Sequence, residues 1–130
     1  MTSPPPFALS ARSRERLIGV HPDLVRVVER AIAHSEIDFI VTEGLRSAAR
    51  QAQLVKAGAS QTLKSRHLTG HAVDLAALVG GQVRWDWPLY PKLAAAMKGA
   101  AAELQIPLVW GGDWTFRDGP HFELDRHRYP

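Results

Sequence analysis

His71-Ala72-Val73-Asp74-Leu75-Ala76-Ala77-Leu78-Val79, followed by Gly80-Gly81, is the stretch on which the fold turns. A mostly apolar run that ends in two glycines reads as a strand over 71–79 closed by a tight turn. Residues 82–87 can then return as its hairpin partner, and strands joined this closely are antiparallel. Asp74 interrupts the run. A carboxylate inside an apolar strand is costly unless it is paired or bound to a cation, so it marks a site rather than a packing position.

Outward from that strand the chain mixes helices and short strands at irregular spacing. Ser10 can cap a short helix over 9–16. Pro22 suits the first turn of a helix over 22–35, where Leu24, Val27, Val28, Ala31 and Ile32 recur on one face. Residues 38–43 are β-branched and aromatic and read as a strand stopped by Gly44. Ser47 caps a helix of about 48–57 that ends at Gly58, and 59–70 read as a polar loop. The longest helix covers 89–104 before Pro107. Short strands follow at 108–110 and 121–125, with a loop rich in Gly and Asp between them. Short strands joined by glycine turns predict an α+β domain with a small antiparallel sheet and helices packed around it. A Pro-rich, flexible lead-in is expected over 1–8 and a single domain over 9–130.

The chain has 130 residues, 45% hydrophobic and 22% charged, enough for one core without covalent staples. It has no cysteine, which excludes disulfides, thiolate catalysis and Cys-ligated metals. Any metal must be held by His and carboxylate. The net charge is +3 and the isoelectric point about 9.7. The basic residues are scattered, with no dense run interleaved with aromatics, so no nucleic-acid partner is expected. The start lacks a basic segment followed by an apolar one, and no run approaches the roughly 20 apolar residues of a membrane span, so neither a secretory signal nor membrane insertion is expected.

The residues suited to metal chemistry lie in two clusters. Ser65 to Asp74 contains His67, His71 and Asp74, and Asp118 to Glu123 contains His121. Two neutral imidazoles and one carboxylate make a zinc site with a position left open. Alternation turns Val73 and Leu75 to one face and Asp74 to the other. Likewise Phe122 and Leu124 oppose His121, Glu123 and Asp125. Two strands can thus offer one ligand each on one sheet face. His67 stands just before the first strand and can fold back; His71 competes with it. No His-Glu-x-x-His helix is present. Trp85 and Trp87 alternate on the expected hairpin and read as packing against the long helix, and Trp110 and Trp114 as core or rim residues. Glu123 is either a general base or a partner of His121.

The pattern Ser65-x-His67-x-x-Gly70-x-Ala72-x-Asp74 resembles a signature of the zinc D-alanyl-D-alanine carboxypeptidase and dipeptidase family. Asp118-x-x-His121 is similar to its second signature. From about Leu9 to Tyr129, with Trp110-Gly111-Gly112-Asp113-Trp114 and Pro120-His121-Phe122-Glu123, the chain resembles the phage endolysin branch. That branch comprises L-alanyl-D-glutamate endopeptidases that lyse the host. The resemblance implies a Hedgehog-like α+β fold and a zinc ion held by His67, Asp74 and His121. It implies Asp118 as the general base, Arg46 as the residue that stabilises the oxyanion or holds a carboxylate, and Gln51 and Ser65 as substrate-lining residues. It further implies a monomer that acts on peptidoglycan. Made without a signal in the host cytoplasm, such an enzyme would reach the periplasmic wall after a separate holin opens the membrane. Cleavage of D-Ala-D-Ala, or a non-catalytic module with structural zinc, are the alternatives to be tested.

Overall fold

The structure is a computed structural model and describes residues 7–60 and 64–130. Of the lead-in expected over 1–8, residues 1–6 lie outside the described residues, whereas Phe7 packs against the core and Leu9 is buried.

Three of the four helices begin where a side chain satisfies a first free N–H group. Helix α1 (Ala11–Arg16) is capped by Ser10, whose hydroxyl oxygen accepts from the Ser13 N–H. Helix α2 (Pro22–His34) has Pro22 in its first turn and His21 as its cap, with Nδ1 accepting from the Asp23 N–H. Helix α3 (Ala48–Lys56) is capped by Ser47. Helix α4 (Tyr90–Leu104) follows a 3₁₀ turn over Trp87–Leu89. The expected loop 59–70 contains a 3₁₀ turn, Arg66–Thr69, which carries His67.

Five strands form one antiparallel sheet: β1 (Asp38–Glu43), β2 (Ala72–Val79), β3 (Gln82–Arg84), β4 (Leu108–Trp110) and β5 (His121–Leu124). The order is β1-β2-β5-β4, and β3 pairs the far end of β2. Strand β2 is therefore covered on one edge by β1 and on the other by β5 and β3 in turn. The fold is the expected α+β class.

One sheet face is the core. Phe39 and Val41 of β1, Val73, Leu75 and Ala77 of β2, and Phe122 and Leu124 of β5 pack with α2 residues such as Leu24, Val27 and Val28 and with Leu93 and Met97 of α4. Burying each such large side chain contributes about 1.5–3 kcal/mol. The other face of β2 and β5 carries Asp74, His121 and Glu123.

The hairpin is shorter than expected. Strand β3 stops at Arg84 because Pro88 has no N–H to pair and the 3₁₀ turn begins at Trp87. Trp85 and Trp87 consequently do not share a packed face. Trp85 is 55% exposed, whereas Trp87 stacks on Trp110 at 6.1 Å and meets Tyr90 at 5.8 Å.

The turn that presents His67 depends on Gly70. This residue sits at φ +76°, caps the 3₁₀ turn, and accepts the His21 N–H through its carbonyl at 2.8 Å. A Cβ there would collide with the Gly19 carbonyl oxygen. We expect Gly70→Ala to cost about 2 kcal/mol or more, through both strain and collision. By contrast, Gly99 lies inside α4 with open space around its Cβ position. Gly99→Ala should stabilise by about 0.5–1 kcal/mol. Denaturant unfolding of both variants checks the opposite signs.

Candidate active site

The site is built where β2 and β5 lie side by side. Asp74 and His121 are direct register partners, and Val73 pairs Phe122. The alternation that sends Val73 and Phe122 into the core therefore sends Asp74 and His121 together to the other face. The 3₁₀ turn after Ser65 swings His67 over them; Ser65 fixes it by accepting the His67 N–H.

Hydrogen-bond roles decide what this cluster can hold. The Gly44 carbonyl can only accept, so His67 Nδ1–H donates to it at 2.8 Å and the Nε2 lone pair faces Asp74 Oδ1 at 3.1 Å. Glu123 Oε1 takes the Nε2–H of His121 at 2.9 Å, and His121 Nδ1 faces the same Asp74 oxygen at 3.3 Å. Three electron-pair donors thus converge on one point, and only shared positive charge makes that arrangement stable. Their ligand atoms all lie within 4.8 Å of one another. Tetrahedral zinc with bonds of about 2.05 Å sets its ligands roughly 3.3 Å apart, which the two separations from Asp74 Oδ1, 3.1 and 3.3 Å, match. The cluster can hold a metal ion.

Without a metal, protons must serve. Burial works against a charged His121, but hydrogen bonds to Asp74 and Glu123 outweigh it and raise its pKa to about 9. Burial likewise works to raise Asp74, yet the bonds from His121 and His67 hold it well below the usual carboxylate range. Glu123 is also lowered: burial is overcome by its bonds from His121 and Arg126. Trp114 covers His121, with ring centroids 5.1 Å apart.

A cavity of about 640 Å³ opens over this cluster. Asp118 lines it, at the end of the 3₁₀ turn and loop that follow β4. Desolvation, then the charge of Asp74, raise its pKa; His121, His67 and Arg46 oppose the rise. Ser65 and Arg46 line the same cavity. The Arg46 guanidinium is clamped by both Glu43 oxygens, at 2.6 and 2.7 Å, and by Gln51 Oε1 at 2.7 Å, and it approaches Asp74 Oδ2 at 3.7 Å. Gln51, expected to line the site, is 1% exposed and lies behind Arg46, donating to Ser60. It reaches the site through Arg46.

His71, the rival ligand, is not part of the cluster. Its Nδ1 bonds Thr69 Oγ1 and its ring faces His21. Glu43 is the residue that sequence reasoning missed. Alternation would place it with Phe39 and Val41 on the core face, but a bulge after Val41 shifts the register and sets Glu43 opposite Asp74. The signal was available: a charge on an otherwise apolar face requires such a break.

A small α+β domain with a His–Asp–His metal cluster and an open carboxylate on one cavity is the constellation of a metal-assisted hydrolase. Comparison with known proteins narrows this class. Residues 6–129 match the model of the phage L-alanyl-D-glutamate peptidases. The chain is 34% identical over 127 residues to the L-alanyl-D-glutamate peptidase of Escherichia phage T5, covering 95% of this chain and 93% of that one. It is 30% identical over 115 residues to the peptidoglycan L-alanyl-D-glutamate endopeptidase of Bacillus subtilis, covering 75% and 66%. The crystal structure of the Serratia marcescens L-Ala D-Glu endopeptidase superposes with a TM-score of 0.90 at 54% identity over 96% of each chain. The chain belongs to the phage L-alanyl-D-glutamate peptidase family.

Two outcomes follow for the metal cluster. Because His121 is protonated near neutral pH, a metal ion must displace its proton, so affinity should rise with pH and level off above about 9. Calorimetry at pH 7 in buffers of different ionisation enthalpy should show close to one proton released per ion. Glu123→Gln, which keeps the shape but removes the charge behind His121, should weaken metal binding about 10–100-fold.

Proposed function

We propose that this chain is a zinc-dependent endopeptidase that hydrolyses the L-Ala–D-Glu bond in the peptide stem of peptidoglycan, as a lysis enzyme of phage type. One observation carries the reading: three convergent metal ligands and a carboxyl of raised pKa share one open cavity. Kinship with the phage peptidases supplies the bond and the polymer.

His67 Nε2, His121 Nδ1 and Asp74 Oδ1 would hold the metal, with the two rings oriented from behind by the Gly44 carbonyl and Glu123. A bound zinc supplies Lewis acidity and water that ionises near neutral pH. Asp118 takes the proton of the attacking water and returns it to the departing amine. Arg46 contributes a fixed positive charge in the cavity wall as negative charge develops on the carbonyl oxygen. Glu43 and Gln51 prevent it from swinging away. Ser65 can offer its hydroxyl hydrogen to the peptide. No covalent intermediate is required.

Among the described residues no helix is long and apolar enough to cross a membrane. In a phage setting the enzyme, acting as a monomer, would reach the wall through a lesion made by a separate protein.

Digestion of Gram-negative peptidoglycan, with and without chelator, tests the reading by mass spectrometry. New N-terminal D-Glu ends should appear, vanish with chelator and return with zinc. Loss of terminal D-Ala would move the activity to the carboxypeptidase type, and bound zinc without any product would leave a structural module. Asp118→Asn should lower turnover at least about 100-fold while metal content stays at the wild-type level. Full activity in that variant would remove Asp118 from the role.

A further inference from the structure

We propose that Trp114 and Phe116 form a subsite for the muramic sugar that carries the peptide stem, so that the enzyme prefers glycan-linked stems to free peptides. The proposal rests on the endopeptidase reading above and adds the part of the substrate lying beyond the cleaved bond.

Phe116 is 76% exposed and Trp114 37% exposed, yet both line the cavity over the metal cluster. Single exposed apolar side chains need no explanation. Two large aromatics two residues apart, in the wall of the cavity that also holds Asp118, mark a place for a ligand.

The segment that carries them is preformed. The Gly111 carbonyl accepts the N–H of Trp114 at 3.2 Å and that of Asp118 at 3.0 Å, so one oxygen fastens both ends of 114–118. A Cβ on Gly111 would strike the Asp118 carbonyl oxygen, so this closure needs glycine. Lys98 holds the preceding turn through Asp113 at 2.8 Å. The Arg117 guanidinium sits 5.0 Å over the Trp87 ring.

A second hollow of about 340 Å³ shares Trp114, Glu123 and Arg126 with the first, so the wall bearing Trp114 continues past the metal cluster.

The substrate has two chemically different sides. In peptidoglycan the L-Ala nitrogen is acylated by the lactyl group of muramic acid, so an uncharged sugar lies one residue from the scissile carbonyl. The other side carries the D-Glu carboxylate and further acidic groups. The cavity wall carries both chemistries: Lys64 stands on the stretch leading into His67, and the aromatic Trp114 and Phe116 stand on another, followed by Arg117 and Asp118. Carboxylates suit the first. The carbon-rich face of a sugar ring suits flat aromatic surface such as the second.

The test compares kcat/KM for a muramyl-linked tetrapeptide with that for the same tetrapeptide N-acetylated, which removes the sugar without creating a charged terminus. The wild-type ratio should exceed one by about tenfold or more, and Phe116→Ala should lower it about tenfold. Phe116 is 76% exposed, so its truncation removes little packing, and zinc content is measured in this variant as a control. Trp114→Leu should lower the ratio too, with zinc content measured because Trp114 covers His121. A wild-type ratio near one, or a ratio unmoved in both variants, overturns the sugar subsite and leaves the peptidase reading standing. If zinc-loaded wild type cuts neither substrate, the endopeptidase reading itself fails and the subsite falls with it.

Discussion

The structure depends on a meeting of electron pairs. Asp74 Oδ1 is approached by two imidazole nitrogens, each of whose partner nitrogens is already held by an acceptor. Such a cluster repels itself unless a cation sits within it, and the fold contributes what keeps it in place. Register pairing sets Asp74 beside His121, and the Gly70-capped turn holds His67 above both. The core on the reverse face of the same strands makes the arrangement stiff. A slip of one residue in β2 would send Asp74 into the apolar core and Val73 into the cavity, so the packing and the chemistry specify one register between them.

Behind the ligands lies a layer of paired charge. Glu123 is shared by His121 and Arg126, and Arg66 approaches it at 3.8 Å. Glu43 and Gln51 clamp Arg46. Apart from the exposed Arg126, these groups are buried or half-buried, where an unpaired charge is expensive, so each pair fixes the other. Asp118 differs from them. It lies on the open side of the cavity, where it can exchange protons with water, and its pKa moves in the direction opposite to those of Asp74 and Glu123. Nearby carboxyls are thus given distinct work by burial and by their partners.

Much of this was legible in the sequence. The strands over 38–43 and 108–110, the Ser10 and Ser47 caps and the two-faced pattern around Asp74 and His121 follow from local residue chemistry, because period-two alternation and capping act over a few residues. What escaped depends on longer-range or irregular geometry. The bulge that turns Glu43 toward Asp74 breaks the alternation from which its side would be read. Gln51 reads as a lining residue because it lies on the helix next to the site, but only tertiary packing decides that it stands behind Arg46. Trp85 and Trp87 part company because Trp87-Pro88 ends the hairpin early. Glu123 could be a base or a partner until its 2.9 Å contact with His121 Nε2 is known.

The pairing of β2 with β5 has a consequence for how the protein comes to exist. His67 and Asp74 are near neighbours in the chain, but His121 arrives with the last strand, after the chain has passed through β3, α4 and β4. A contact of that sequence separation forms only after much chain entropy has been lost, so the complete ligand set belongs to the folded state and to no local fragment of it. An ion that binds the native chain and not the unfolded one draws the folding equilibrium toward itself by mass action. A metal taken up by this cluster would thereby raise the fraction of chains that are folded, and hydrolytic capacity is absent from every chain still on the way there.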